Sequence, residues 1–201
     1  MIQPGKQIFS NIRGRWSEFF DNTHPITLEL GCGRGEYTVG LATIFKDRNF
    51  IGVDIKGDRI WKGSALADGL GLKNAAFLRT QVQLIGDFFE ENEVSEIWIT
   101  FPDPRPKERD EKRRLTNPRF LELYKRILIS GGLVHLKTDN TPLFDYSLNT
   151  ISERSDVSSL EYTHDLYRSA MLEDHHGIRT KYEIKHHDLG ESIKYLRFSL
   201  L

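Results

Sequence analysis

The chain has 201 residues, of which 38% are hydrophobic and 28% are charged, and its formal net charge is −1. This composition excludes a disordered chain, and it gives no overall positive charge that would indicate a nucleic-acid partner, so such a partner must be sought in local clusters. No apolar run has the length of a signal peptide or a membrane span, and Cys32 is the only cysteine, so we expect a cytoplasmic protein without an intrachain disulfide.

Short apolar runs alternate with helical patterns along most of the chain. This alternation predicts βαβ units and a mostly parallel sheet, and the low polarity of runs such as FIGVDI indicates helices on both faces. The predicted strands are Ile26–Leu30, Phe50–Ile55, Ala75–Arg79, Glu96–Phe101 and Leu133–Thr138. The predicted helices are Gly35–Phe45, Asp58–Leu70, Leu84–Phe89, Asn117–Ile129 and Pro142–Glu153.

The two ends of the chain differ from this alternation. After residue 155, SSLEYTHDL and IKYLRFSLL predict two longer strands that form an antiparallel pair at one edge of the sheet. Near the start, QIFSNIRGRWSEFF predicts an amphipathic helix, so residues 1–24 are interpreted as a helical extension outside the sheet. No linker separates these parts, and we expect one domain, residues 1–201, with its core in residues 26–201.

A glycine-rich turn, GCGRG, follows the first predicted strand. Gly31 and Gly33 permit a close approach of the backbone to a ligand, and ligands of open α/β sheets bind beyond the carboxyl ends of the strands. The spacing of the glycines differs from the G-x-G-x-x-G of dinucleotide sites. Glu29, two residues before the first glycine, repels a pyrophosphate but attracts a sulfonium or ammonium group. The alternative is that these glycines only form a tight turn.

Acidic and amide side chains follow the next two strands. Asp54, at the end of the second strand, is suited to accept hydrogen bonds from both ribose hydroxyls, and Gln81, after the third strand, is a candidate for contact with adenine. Together with the glycine turn, these residues favour S-adenosylmethionine over NAD as the cofactor.

The fourth strand ends in a proline-rich corner, FPDPRP. Pro102 and Pro104 restrict the backbone on both sides of Asp103, so its carboxylate is held at the expected mouth of the cleft, where a fixed charge can stabilise a developing positive charge. The alternative is that Asp103 is an ordinary surface aspartate.

A charged tail follows this corner. Its basic residues either contact RNA phosphates or belong to a solvated loop whose charges cancel; the basic candidates are Lys112, Arg113 and Arg114.

Five segments resemble one family in order and spacing: LELGCGRGEY, GVDIKGDRI, FPDPRPKERDEKRRLTNPRFLELYKRIL, HLKTDN and RTKYE. They are similar to the bacterial tRNA (guanine-N7-)-methyltransferases, the TrmB family, over about residues 26 to 185. The resemblance implies a Rossmann-like class I methyltransferase fold with a seven-stranded sheet. It also implies methyl transfer from S-adenosylmethionine to N7 of a variable-loop guanosine, position 46 of the tRNA, with S-adenosylhomocysteine as the product.

The resemblance also implies roles for individual residues. Cofactor contacts fall on Glu29, Asp54, Gln81 and Asp103, beside Gly31 and Gly33. Substrate contacts fall on Lys107, Asp139, Thr180, Lys181, Tyr182 and Glu183, with Glu183 expected to accept hydrogen bonds from the N1 and N2 edge of guanine. Two positions depart from the family: Arg105 replaces the usual tryptophan, and Gln81 stands where an acid or asparagine is usual.

The expected chemistry needs no general base, because guanine N7 carries a lone pair and no proton. Asp103 is the catalytic candidate, since a fixed carboxylate stabilises the cationic product, and Asp139 is either a second such group or a helix cap. We expect no metal, because the histidine pairs 175–176 and 186–187 are adjacent and do not converge on one ion. The partner is tRNA, without a membrane or an obligate protein partner, and the chain is a monomer or a homodimer.

Two alternative functions share this fold. One is a different S-adenosylmethionine-dependent base methyltransferase, such as one that acts on an exocyclic amine; such enzymes usually carry an aromatic residue after the prolines, where this chain has Arg105. The other is a non-catalytic RNA-binding module, which the presence of Glu29, Asp54 and Asp103 disfavours.

Overall fold

The computed structural model describes residues 11–201, and residues 1–10, which include the start of the predicted N-terminal helix, lie outside the described part. No helix within residues 11–201 has the length and apolar character needed to cross a membrane. The strands are β1 (Ile26–Leu30), β2 (Asn49–Asp54), β3 (Ala75–Arg79), β4 (Val94–Thr100), β5 (Leu128–Thr138), β6 (Val157–Thr163) and β7 (Lys194–Leu200). The α-helices are α1 (Trp16–Phe20), α2 (Glu36–Ile44), α3 (Gly57–Gly69), α4 (Pro118–Ile127), α5 (Thr141–Ser152) and α6 (Lys181–Asp188).

Within residues 11–201, the seven strands form one sheet in the order β3-β2-β1-β4-β5-β7-β6. Strands β1 to β5 are parallel, whereas β7 is antiparallel to both of its neighbours, β5 and β6. The predicted sheet with an antiparallel C-terminal edge is therefore confirmed. Because the strand order reverses between β1 and β4, the crevice for a ligand opens beyond the carboxyl ends of these two strands.

The sheet separates two apolar clusters, because consecutive residues of a strand point to opposite faces. In β4, Ile97 belongs to the cluster that contains residues of α1, α4 and α5, whereas Trp98 belongs to the cluster that contains residues of α2 and α3. Trp98 stacks on His135 of β5, with ring centroids 4.0 Å apart. Helices therefore cover both faces of the sheet, as the sequence predicts.

The N-terminal segment differs from the predicted extension. Gly14 has a φ of 71°, outside the α-helical region, so the helix in the described residues begins only at Trp16. The indole of Trp16 is fully buried, stacks on Phe89 at 5.2 Å and donates from Nε1 to Phe88 O at 2.9 Å. Helix α1 therefore lies outside the sheet and packs into the main core.

The helix predicted between the third and fourth strands is also different. The structure has a 3₁₀ helix, Val82–Asp87, in which only Ile85 is buried. A single buried side chain provides no apolar stripe that would stabilise an α-helix by packing.

Candidate functional site

Two adjoining cavities open at the carboxyl ends of the parallel strands. The first cavity, of about 380 Å³, lies between the glycine turn and the start of α6. The second cavity, of about 530 Å³, lies between the ends of β2 and β3 and the proline-rich corner. Because Gly31, Arg59 and Phe101 line both cavities, a ligand in one of them lies next to a ligand in the other.

The turn after β1 has the backbone that its glycines predict. Gly31, Gly33 and Gly35 have φ values of 78°, 55° and 70°, in the left-handed region that favours glycine. The amides of Gly31 and Cys32 donate to Val53 O at 2.8 and 3.0 Å, which fixes the turn against the end of β2. The turn is thereby held in place beside both cavities.

Glu29 lies in β1 at the bottom of the first cavity, and its carboxylate is almost completely buried. Its Oε1 accepts a hydrogen bond from Thr100 Oγ1 at 2.6 Å, and its Oε2 accepts hydrogen bonds from both the amide and the hydroxyl of Thr38. Burial raises the pKa of Glu29, and these hydrogen bonds oppose the increase. Glu29 therefore connects β1, the first turn of α2 and the end of β4. Its side chain lines the first cavity but is almost completely buried.

Asp54 ends β2 and lines the second cavity. Its Oδ1 accepts a hydrogen bond from the amide of Lys56 at 2.8 Å, and its Oδ2 accepts one from the amide of Gly33 at 3.0 Å. Each carboxylate oxygen has a second lone pair, so both can still accept hydrogen bonds from a ligand. Gln81 lines the same cavity, and its side chain is exposed there.

Asp103 lies in the corner after β4 and lines the second cavity together with Asp54. Its side chain is 60% exposed, and its carboxylate contacts the amide and the guanidinium of Arg105 at 3.2 and 3.3 Å. Phe101 and Arg105, on either side of the corner, both have a φ of 48°, which costs about 1–3 kcal/mol for each non-glycine residue. The Phe101 amide donates to Lys137 O at 2.8 Å, which helps to hold this strained backbone.

The start of α6 forms the opposite wall of the first cavity. Thr180, Lys181 and Tyr182 line it, and the Thr180 hydroxyl caps the helix by accepting a hydrogen bond from the amide of Glu183 at 3.1 Å. The Tyr182 ring lies 5.2 Å from the ring of Phe101, at an interplanar angle of 48°. Thr180, Lys181 and Tyr182, which the sequence predicts as substrate contacts, therefore lie together on one wall of the first cavity.

The sequence of this chain is similar to those of known methyltransferases. The methyltransferase family Methyltransf_4 matches residues 23–196. The tRNA (guanine-N(7)-)-methyltransferase of Cytophaga hutchinsonii is 48% identical over 202 residues, which cover 100% of this chain and 91% of that protein. The protein of the same name from Bacteroides fragilis is 50% identical over 192 residues, which cover 94% of this chain and 75% of that protein. The chain belongs to the bacterial tRNA (guanine-N7-)-methyltransferase family, TrmB.

A solved structure supports the fold of this TrmB family member. The 16S rRNA methyltransferase KamB has a TM-score of 0.72 with 14% sequence identity, and the match covers 98% of each chain. At this identity the similarity concerns the fold alone, and it confirms the class I methyltransferase fold that the sequence predicts.

The charged tail of this TrmB protein is folded against the corner. Arg114 donates to Arg105 O at 3.2 and 3.3 Å and lies over the ring of Tyr146 at 4.3 Å, so its guanidinium has an internal role. Lys107 and Lys112 are exposed, and neither lines the two cavities. Arg113 lines the second cavity together with Asp54 and Asp103.

Asp139 follows β5 but lines neither cavity. Its Oδ2 accepts a hydrogen bond from the Tyr182 hydroxyl at 3.3 Å. The cap of α5 is Asn140, whose side chain accepts a hydrogen bond from the amide of Leu143 at 2.9 Å. The alternative interpretation of Asp139 as the helix cap is therefore wrong, and Asp139 instead supports Tyr182 from behind.

Glu183 belongs to a buried network of polar side chains. Its side chain is fully buried, and its carboxylate accepts hydrogen bonds from Lys137 Nζ at 2.9 Å, Tyr167 Oη at 3.0 Å and His175 Nε2 at 2.9 Å. Burial alone raises the pKa of Glu183, but the His175 hydrogen bond and the Lys137 charge outweigh it, so the pKa is lowered. Glu183 lies in the first turn of α6 and lines neither cavity, and its contact with the guanine edge stays a prediction.

His175 and His186 each form hydrogen bonds or close contacts with acidic side chains. His175 is bonded to Glu183, and His186 Nδ1 lies 2.8 Å from Glu191 Oε2 and 3.4 Å from Asp139 Oδ2. In the described part of the chain, Asp139, His186 and Glu191 bring their ligand atoms within 4.8 Å of one another. Their mutual hydrogen bonding accounts for this cluster.

Several site residues were not predicted from the sequence. Glu36, Arg59 and Thr100 line the first cavity, and Lys137 lies below its wall. One feature could have revealed Lys137: it is a lysine within a buried strand, and such a residue requires an acidic partner from elsewhere in the chain.

Proposed function

We propose that this protein transfers a methyl group from S-adenosylmethionine to N7 of a guanosine in the variable loop of tRNA. The observation that supports this most directly is the pair of cavities that meet at Gly31 and Phe101. Together the cavities offer room for the cofactor and, next to it, for the acceptor base, and family membership supports the substrate class.

The second cavity has the groups that S-adenosylmethionine requires. The Asp54 carboxylate is positioned to accept hydrogen bonds from the ribose hydroxyls, and Gln81 can contact adenine through its amide. Gly31, which lines both cavities, and Gly33, which lines the first, permit close approach of the protein backbone to the cofactor. The exposed carboxylate of Asp103 then faces the positively charged end of the cofactor.

The acceptor base contacts the wall formed by Thr180, Lys181 and Tyr182, and phosphates elsewhere on the tRNA are bound by exposed basic residues that include Lys107, Lys112 and Arg113. The bond from N7 to the methyl carbon forms while the carbon–sulfur bond breaks, and that electron pair stays on sulfur in S-adenosylhomocysteine. The base becomes cationic, and Asp103 stabilises the developing charge. Because N7 has no proton to lose, neither a general base nor a metal is required.

The test is methyl transfer by the purified protein from labelled S-adenosylmethionine to tRNA that lacks 7-methylguanosine. We expect label only at N7 of the variable-loop guanosine, and no label when that nucleotide is replaced by adenosine. Label on an exocyclic amine instead would identify a different base methyltransferase. RNA binding without any transfer would indicate a non-catalytic module.

A further inference from the structure

The wall formed by Thr180, Lys181 and Tyr182 lies in the long connection between β6 and β7, and it lines the same cavity as the glycine turn. A long connection carries no local signal that sets its position over the turn, so contacts with other elements must set it. Helix α2, which follows the glycine turn directly, supplies two of these contacts.

The first contact is a hydrogen bond between the first turns of two helices. Glu36 begins α2, and its Oε2 accepts a hydrogen bond from the backbone amide of Lys181 at 2.7 Å, across 145 residues of sequence. Lys181 begins α6, where the backbone amides have no acceptor within the helix. The carboxylate therefore provides the acceptor that this amide needs, and its negative charge is favourable at the amino terminus of a helix.

The second contact lies one turn further along α2. Gly40 is four residues after Glu36, so the two residues lie on the same face of the helix. A Cβ atom added to Gly40 would lie 2.7 Å from Cγ2 of Ile178 and 3.1 Å from its Cγ1. The absence of a side chain at Gly40 therefore leaves room for Ile178, just before the start of α6, to pack against α2.

The start of α6 is also held from the side of the sheet. Glu183 pairs with Lys137 of β5 at 2.9 Å, and the ring of Tyr182 lies 5.2 Å from that of Phe101, which follows β4. Contacts with α2 and with the sheet thus fix the wall from two directions. A precise position matters for group transfer, because a displacement of about 1 Å between the reacting groups can cost about 100-fold in rate.

We propose that Glu36 is a positioning residue for methyl transfer, and that Glu36 and Gly40 together set the distance between the cofactor at the glycine turn and the acceptor base at the start of α6. This inference rests on the proposed function. It depends on the Glu36 oxygen as a hydrogen-bond acceptor for the backbone of α6, and it assigns no contact with cofactor or substrate to this residue.

The experiment measures the single-turnover rate of methyl transfer at saturating S-adenosylmethionine and tRNA, together with the Kd for S-adenosylhomocysteine by calorimetry. Glu36→Ala removes the acceptor of the Lys181 amide, and we expect the rate to fall by about 10-fold or more while the Kd changes by less than about 2-fold. Glu36→Gln keeps an oxygen that accepts from Lys181, so it should retain at least about a third of the wild-type rate.

Gly40→Ala tests the second contact without altering any charge. The added Cβ displaces Ile178, so we expect the rate to fall by at least about 5-fold, whereas the better helix propensity of alanine lets α2 form. Addition of Ile178→Ala removes the crowded atoms and should raise the rate of this variant by about 3-fold. Gly69→Ala, where an added Cβ meets no atom of residues 11–201 within 4 Å, is the matched control and should leave the rate unchanged.

Equal losses in Glu36→Ala and Glu36→Gln would overturn the proposal, because the charge and not the hydrogen bond would then matter. A Kd for S-adenosylhomocysteine that rises as much as the rate falls would also overturn it and would place Glu36 at the cofactor. Wild-type rates in both Glu36→Ala and Gly40→Ala would show that neither contact positions the wall. Failure of the proposed function is a separate result, because it appears in the wild-type protein as the absence of transfer to N7.

Discussion

At the scale of single residues, exposure separates the carboxylates of the site into two kinds. Asp103 is held by its own backbone corner and is 60% exposed, so it can act on a ligand without carrying the fold. Glu29 and Glu183 are buried among donors, so their removal affects the framework of the site. A carboxylate therefore either faces a ligand or holds the fold together, and its burial decides between these two roles.

Asp103→Ala is expected to lower kcat by about 100-fold or more, since it removes the charge that faces the developing cation. Its melting temperature should remain within about 2 °C of the wild type, because within residues 11–201 the polar contacts of this side chain are those with the neighbouring Arg105. Single-turnover kinetics and thermal unfolding measure the two effects. Glu108→Ala, an exposed residue in the following loop, is the control and should change neither quantity. Loss of stability with full activity would contradict the role of Asp103.

The buried pair of Lys137 and Glu183 is expected to behave as one unit. Burial lowers the pKa of Lys137, and the charge of Glu183 opposes the decrease. Lys137→Met leaves Glu183 without its cation and should reduce the free energy of unfolding by about 3–5 kcal/mol. Glu183→Gln should cost a similar amount, and the double variant should cost less than the sum of the two. Chemical denaturation measures all three, and strict additivity would show that the pair is not coupled.

At the scale of elements, the charged tail has a face toward the corner and a face toward solvent. Arg114 donates hydrogen bonds to the corner, whereas Lys112 is exposed. Arg113 forms an ion pair with Asp110 at 3.2 Å, and 67% of its own side chain is exposed. The three adjacent basic residues are therefore not equivalent, although the sequence shows one run.

Lys112→Ala and Arg113→Ala are expected to weaken tRNA binding and to reduce the slope of log affinity against log salt by about 0.7–0.9 each, as expected for the loss of one phosphate contact. Filter binding at several salt concentrations measures the slope. Arg168→Ala, which replaces a guanidinium that is 88% exposed on a different segment, is the control for a general charge effect. If the slope of log affinity against log salt does not change, Lys112 and Arg113 have only a structural role.

At the scale of the whole molecule, an acidic group at the sheet centre links stability to pH. Glu96 lies between β1 and β5, with its Oε2 bonded to Thr27 and Arg48 and its Oε1 3.0 Å from His135 Nε2. Burial alone raises the pKa of Glu96, but the hydrogen bond and charge of His135 and the contacts with Thr27 and Arg48 lower it to about 2.

Because this folded-state pKa lies below the ordinary value of 4.5, ionised Glu96 stabilises the fold fully above pH 4.5, and the contribution is lost as the pH falls from 4.5 toward 2. The loss amounts to about 3 kcal/mol. Urea denaturation at a series of pH values should therefore show a large destabilisation by Glu96→Gln at neutral pH that shrinks below pH 4. A difference that is independent of pH would contradict this linkage.

The chain order of the elements and the acids at strand ends were predictable from the sequence, since periodicity and strand ends are local properties. Because parallel strands end at one edge of the sheet, Asp54 and Asp103 had to lie close together, and they line one cavity. The N-terminal helix was harder to predict, because Gly14 ends the helical pattern and Trp16 then packs on Phe89, far along the chain.

The sequence by itself determined the parallel sheet, the glycine turn and the fixed carboxylate after β4, because each depends on a short stretch of residues. Only the tertiary structure decided which glutamates face a ligand. Helix α6 returns to the start of α2, where the Lys181 amide donates to Glu36 in the first cavity, while Glu183 in the same first turn is buried against Lys137. No local pattern encodes that contact, because it depends on how the chain packs between β6 and β7.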